Sequence, residues 1–391
     1  MGSSKCEGLE GDCPMIPRIC GNALRKKLKL EDEDPAVNSC VNHILEHNHL
    51  VPAYVELRDK QKALSEVKWK EIPFSCTPKG GYLPDKRVQR KTQQVDSMLV
   101  PLLKLIDHVR RIKEKQGGFK KITVVEFCGG SGFVILPLAA QVLNDIDSEE
   151  LEFIIIDFKP ISIELAKQRA ADAGLSPIVR CITGRIEDFN DPFDVGIALH
   201  ACGSASDISL DKCIQANASF VIAPCCVGKV AKAQFAGGKS TSSVKKYDQS
   251  CLDNNSLLHT SLQGFTGGND NICHICPRSE AFTKMFTAEA ISKEWGRVIK
   301  AADYGGHSTV DSNSIKNEKN DFGIRRMCKA IVEHDRIMHA NEHNYQTLLL
   351  KMTPTTATPK NDIIIGWPTT ITSIDFEMIP VAESLKAYLQ K

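Results

Sequence analysis

The 391-residue chain is 42% hydrophobic and 25% charged, the composition of a folded globular protein long enough for one large or two smaller domains. Its formal net charge of +1 excludes a general electrostatic pull toward nucleic acid or anionic membranes, so any such partner must be met by a local patch. Fifteen cysteines follow no stapling pattern, no charged and then apolar leader opens the chain, and no apolar run is long enough to span a bilayer. A reducing compartment, cytoplasmic or nuclear, is expected. The start Met1-Gly2-Ser3-Ser4-Lys5-Cys6 comes close to an N-myristoylation signal, and Cys6 is a second acylation candidate. Glu7, Glu10 and Asp12 follow it, however, where a second membrane signal would be polybasic.

Residues 1–85 form an N-terminal extension without a motif, in which Pro35 to Glu46 reads as helix and Pro78-Lys79-Gly80-Gly81 as a break. A basic segment, Lys86-Arg87-Val88-Gln89-Arg90-Lys91, runs into an amphipathic helix from Val95 to Val109. From Ile122 onward apolar strands alternate with helical patterns, the sign of an α/β fold with a parallel sheet. Strands are expected at 122–127, 153–157, 178–182, 195–199 and 220–223, with helices near 132–143, 160–173 and 205–216. A polar, Gly- and Ser-rich insertion then occupies about 227–321, with a helix only near 279–300. A last helix from Arg325 to about Asn341 and two closing strands, near 346–351 and 362–367, complete the chain.

The turn after the first strand carries the first chemistry. Glycine accepts positive φ and has no side chain, so a Gly-rich turn opening a helix lets backbone amides reach a ligand. Counting from Gly130 puts Ile135 where a dinucleotide fold wants its third glycine, which disfavours NAD. The pattern Glu126-x-Cys128-x-Gly130-x-Gly132 instead resembles methyltransferase motif I, with Cys128 in place of the usual first glycine. That resemblance implies S-adenosylmethionine (SAM), with Glu126 facing its amino-acid end. Asp157 ends the next strand about 25 residues past the turn, where a carboxylate can accept bonds from ribose hydroxyls. Ile186 is the candidate to pack an adenine, with Asp188 near its amine.

In an open parallel sheet ligands lie at the carboxyl ends of the strands. The fourth and fifth strands end in Leu199-His200-Ala201-Cys202-Gly203 and Pro224-Cys225-Cys226-Val227-Gly228. His200 has the intrinsic pKa of a general base toward a hydroxyl or ring nitrogen, and its plainer reading is a satisfied core histidine. Cys202, Cys225 and Cys226 read as small buried hydrophobes, as substrate contacts, as a nucleophile pair, or with His200 as zinc ligands. No paired C-x₂₋₄-C knuckle appears, so no metal is expected. The Asn/Asp-Pro-Pro-Tyr/Phe motif that holds exocyclic amines is absent too.

Beyond motif I, Ala198-Leu199-His200-Ala201-Cys202-Gly203, Pro224-Cys225-Cys226-Val227-Gly228, Pro359-Lys360-Asn361-Asp362-Ile363-Ile364-Ile365-Gly366 and the basic Arg87-Val88-Gln89-Arg90-Lys91 with Gln93-Gln94 carry a further likeness. They resemble the methyltransferase domain of the glutathione S-transferase C-terminal domain-containing proteins, from about residue 86 to 368. A more distant likeness, through His-x-Cys-Gly, Asp207 and the Cys-Cys pair, is to the eukaryotic tRNA ribose 2′-O-methyltransferases. The resemblance implies a Rossmann-like, seven-stranded class I sheet with helices on both faces and one antiparallel strand. It also implies RNA as substrate, tRNA included, with a protein substrate or an inactive SAM-binding scaffold as alternatives. Arg87 and Arg90 then become candidate RNA contacts, and Arg278, in the insertion, the candidate contact to an anionic acceptor. The insertion leaves the fifth strand at the carboxyl edge, where it would choose the substrate rather than hold the cofactor.

Overall fold

The structure is a computed structural model that describes residues 35–50, 52–57, 67–115, 121–143, 150–225, 227, 277–303, 318–371 and 378–379. Seven strands form its central sheet: β1 (Ile122–Phe127), β2 (Leu151–Asp157), β3 (Val179–Thr183), β4 (Val195–Leu199), β5 (Ser219–Ala223), β6 (Tyr345–Lys351) and β7 (Asp362–Pro368). Their spatial order is β3-β2-β1-β4-β5-β7-β6, parallel except for β7, which runs antiparallel to both β5 and β6. Every residue of β4 and β5 is buried. That explains why they read as continuous apolar runs: helices cover both faces of a parallel sheet. The close approach of β5 to β7 needs Gly366, where a Cβ would lie 2.1 Å from the Phe220 ring.

Register decides where the site falls. Phe127 pairs with Ile156, Asp157 with Thr183 and Leu199 with Ala223, so the carboxyl ends of these strands align on one rim. The strand order reverses between β1 and β4, and that crevice is where open α/β sheets bind ligands.

The basic segment and the following amphipathic stretch are one helix, α2 (Asp85–Lys115), preceded by α1 (Pro35–Glu46). At its far end, on the amino edge, Lys113 Nζ donates to Lys121 O and to Asp194 Oδ2, both at 2.7 Å. Its first turns therefore stand at the carboxyl rim. Next come α3 (Ile135–Val142), α4 (Pro160–Asp172) and α5 (Ser204–Gln215). The helix expected near 279–300 is two, α6 (Glu280–Thr283) and α7 (Ala288–Ala302). The last helix, α8 (Glu318–Glu342), starts inside the stretch read as insertion. Most of the long insertion after β5 lies outside the described residues, as do Gly2, Cys6 and Cys226.

Among the residues before α2, those that the structure describes share the core of the sheet domain. In α1, Val37, Cys40, Val41, Ile44 and Leu45 are buried at helical spacing and join the same apolar cluster as the sheet, with the helix packed on α7 and α8. Further on, buried Arg169 of α4 donates to Ser75 O at 2.8 Å and Thr77 O at 3.0 Å, and also to Ser131 O in the glycine turn. A second buried polar layer lies along α8. Arg336 grips Asp207 of α5 with two bonds, 2.7 and 3.2 Å, and Lys329 pairs with Glu333 and Asp362. Burial pushes the Asp362 carboxyl up, but the ammonium groups of Lys351 and Lys329 outweigh it and hold it at about 2. Among the described residues no helix is long and apolar enough to cross a membrane.

Candidate active site

β1 ends at Phe127, and the chain turns through Cys128 (φ 54°), Gly130 (φ 55°) and Gly132 (φ 76°) before α3 begins. Cys128 thus occupies the left-handed conformation in which a glycine is usual, at a cost of roughly 1–2 kcal/mol. A Cβ on Gly130 would meet only Asp157 Oδ2, at 4.0 Å, so the turn leaves open space in front of that carboxylate. Gly130 N donates to Asp157 Oδ2 at 3.0 Å and Lys159 N to Oδ1 at 2.9 Å. Each oxygen keeps a further lone pair, the capacity that a pair of ribose hydroxyls requires. This cradle, open at a glycine and backed by a fixed carboxylate, fits SAM.

Glu126 is buried, and its Oε2 accepts the Ile135 N–H at 3.0 Å across the turn. Burial pushes its carboxyl up to about 7, against the Ile135 bond and the charge of Lys91. Lys91 reaches in from α2, its Nζ 5.5 Å from the centre of the Phe133 ring. Burial pulls this ammonium down to about 8, against Glu126 and Cys225, which act to raise it. A carboxyl and an amine thus stand together beside the turn, opposite in kind to the two ends of an amino acid. Ile186 is buried after β3, whereas Asp188 is exposed at the rim.

His200 follows β4 with φ 66°, and its N–H donates to Ala223 O at 3.3 Å. Its Nε2 lies 2.7 Å from Gln94 Oε1, and Gln94 Nε2 donates to Ala357 O at 3.1 Å. Cys202 Sγ and Cys225 Sγ are 3.1 Å apart, so the two strand ends bring their thiols into contact. Burial, reinforced by Asp157, Cys202 and Glu187, pushes Cys128 up to about 12 and keeps it a thiol. Arg87 and Arg90 are exposed on the first turns of α2, with Arg90 Nε also donating to Ala357 O at 3.4 Å.

Arg278, expected as a contact to an anionic acceptor, is instead largely buried against carboxylates of the chain itself. Its guanidinium binds Asp211 and lies 3.6 Å from Asp207, and its N–H donates to Asp335 Oδ2 at 2.8 Å. The physical reason is the docking of this part of the insertion onto α5 and α8, whose carboxylates need a cation between them. Two residues of the site escaped the motif reading. Lys91 looked like one more member of a basic cluster, and Gln94 appeared only within a resemblance. The available signal was periodicity: Gln94 falls among Val95, Met98, Leu99 and Leu102, on the buried face of α2.

A sheet of this order, reversed only at β7, with a glycine turn after β1 and an acid ending β2, is the class I methyltransferase arrangement. Residues 90–233 match the family described as a methyltransferase domain. The chain is similar to the mouse glutathione S-transferase C-terminal domain-containing protein, 28% identical over 302 residues, covering 77% of this chain and 37% of the relative. The Drosophila melanogaster homolog is 26% identical, with 77% and 40% covered. The chain thus spans well under half the length of these relatives. A solved SAM-dependent methyltransferase from Aquifex aeolicus shares 20% identity over 31% of this chain and 64% of its own, with a TM-score of 0.21. Residues 90–233 thus carry a methyltransferase domain, of the class that uses SAM, and the chain is similar to the glutathione S-transferase C-terminal domain-containing proteins.

Proposed function

We propose that this chain methylates RNA in the cytoplasm or nucleus, with a tRNA ribose hydroxyl or base as acceptor. One observation carries the reading: α2 places Gln94 against His200 and exposes Arg87 and Arg90 at the same rim. A single helix thereby joins the reacting centre to a cationic surface that can meet phosphates. When bound, SAM supplies an electrophilic methyl group on a sulfonium. Asp157 would hold the ribose, Glu126 and Lys91 the amino-acid end, and Ile186 the adenine, with Asp188 at its edge. His200 would take the proton of the acceptor, while Cys202 and Cys225, whose thiols touch, would line the approach. The near-neutral charge of the whole chain favours a protein acceptor as the second reading. Transfer of methyl label from SAM into fractionated cell RNA and protein tests both. Label in RNA, strongest in the tRNA fraction, is expected; label in protein alone transfers the proposal to the second reading. SAM binding without any transfer would leave an inactive scaffold.

A further inference from the structure

We propose that Gln94 is a positioning residue that holds His200 protonated on Nε2, so that the basic lone pair of the ring is carried by Nδ1. This rests on the reading of His200 as the base. The carbonyl oxygen of Ala357 can only accept. At 3.1 Å it must therefore face the amide nitrogen of Gln94, which fixes which way that side chain is turned. The Gln94 oxygen is then the atom 2.7 Å from His200 Nε2, and an amide oxygen also only accepts. His200 must donate from Nε2. Of the two neutral forms of imidazole, the one protonated on Nδ1 would set two acceptors against each other and is excluded.

The arrangement is rigid as well as directional. Gln94 is 5% exposed and lies on the buried face of a long helix, one turn from Val95's apolar neighbours Met98 and Leu99. His200 itself is held at φ 66°, in the left-handed region that a residue with a Cβ seldom adopts, with its N–H bound to Ala223 O. Such a conformation persists where the surroundings over-determine it, as they do at functional sites. A satisfied core histidine would need a partner for its ring, but not one whose own orientation is locked by a third group. An orienting group behind a base is the arrangement that sets the catalytic tautomer in general acid–base sites.

The test uses the full chain labelled with ¹⁵N-histidine, and assigns His200 by its disappearance in His200→Ala. Long-range ¹H–¹⁵N correlation spectra report directly which ring nitrogen carries the proton. The expected result is a protonated Nε2 and an unprotonated Nδ1 at mildly alkaline pH, with the tautomers mixing in Gln94→Leu. A protonated Nδ1 in the unmodified protein, or an unchanged tautomer in folded Gln94→Leu, would overturn the proposal. Should Gln94→Leu fail to fold, Gln94→Glu keeps the acceptor toward His200, adds a charge and gives up the bond to Ala357 O. It should preserve the tautomer and hold the imidazolium to higher pH, against Arg90 and Lys91 on the adjoining turns of α2; an unmoved titration counts against the contact. Methyl transfer to total cell RNA should fall about 10²-fold in Gln94→Leu, the usual scale for a misplaced base. Full transfer by His200→Ala, with the tautomer as expected, would instead remove the underlying reading of His200 as base.

Discussion

Asp157 ends β2 and Glu126 stands one residue before the end of β1, two carboxylates of opposite character. Asp157 receives two backbone N–H bonds, so its charge is held in place facing the open side of the turn. Asp157→Ala should weaken S-adenosylhomocysteine binding by ~1.5–3 kcal/mol, the scale of charge-assisted bonds, as read by calorimetry. Glu126, by contrast, is fully buried, and its carboxyl titrates near 7 rather than at the ordinary 4.5. A raised acid favours the folded state while it keeps its proton. Its contribution to stability is therefore complete below about pH 4.5 and is lost as the pH rises through about 7. Glu126→Gln cannot ionise and should gain on the unmodified protein between about pH 5 and pH 8, by on the order of 2 kcal/mol in denaturant unfolding. Equal stability differences at both pH values would show that Glu126 is not strained by burial.

At the scale of elements, the parallel strands were legible because each is an apolar run bounded by turn residues, and the structure moves their ends by no more than two residues. The glycine turn was legible because its glycines and the two acids fall at fixed spacing along one chain segment. What the sequence hid were contacts between distant segments. Nothing near Gln94 announces Ala357 or His200, and nothing in the polar insertion announces that Arg278 meets two carboxylates of α5. The stretch before α2 was opaque for the same reason. Residues 67–84 carry no motif, yet Arg169 ties Ser75 and Thr77 to Ser131 in the glycine turn, and its guanidinium stacks 4.9 Å from the Phe133 ring centre. Arg169→Met would remove bonds to three carbonyl groups, that of Ser131 being buried, and should cost ~2–4 kcal/mol of stability. S-adenosylhomocysteine affinity should fall with it, because the turn loses its backing. A variant destabilised but with unchanged affinity would separate the N-terminal stretch from the cofactor site.

For the whole molecule, a net charge of +1 and an RNA substrate are compatible only if positive charge is concentrated and the balancing acids are spent elsewhere. The layer along α8 supplies no such surplus, because Asp207, Asp211, Glu333 and Asp362 are matched there by Arg278, Arg336, Lys329 and Lys351. Any concentration of positive charge rests on Lys86, Arg87 and Arg90, exposed on the first turns of α2. Phosphate contacts made by exposed cations release counterions, so they appear as a dependence of binding on salt rather than as a change at the cofactor. The triple variant Lys86→Gln, Arg87→Gln, Arg90→Gln should therefore leave S-adenosylhomocysteine affinity within about 0.5 kcal/mol, since surface sites apart from the pocket do not couple to it. Binding to unfractionated tRNA should weaken, and the slope of log affinity against log salt should become shallower by about 2–3, close to one for each phosphate contact removed. Methyl transfer to RNA should fall in step with binding. An unchanged salt slope would mean that RNA does not lie along α2, and label transferred undiminished into protein by the same variant would favour a polypeptide acceptor.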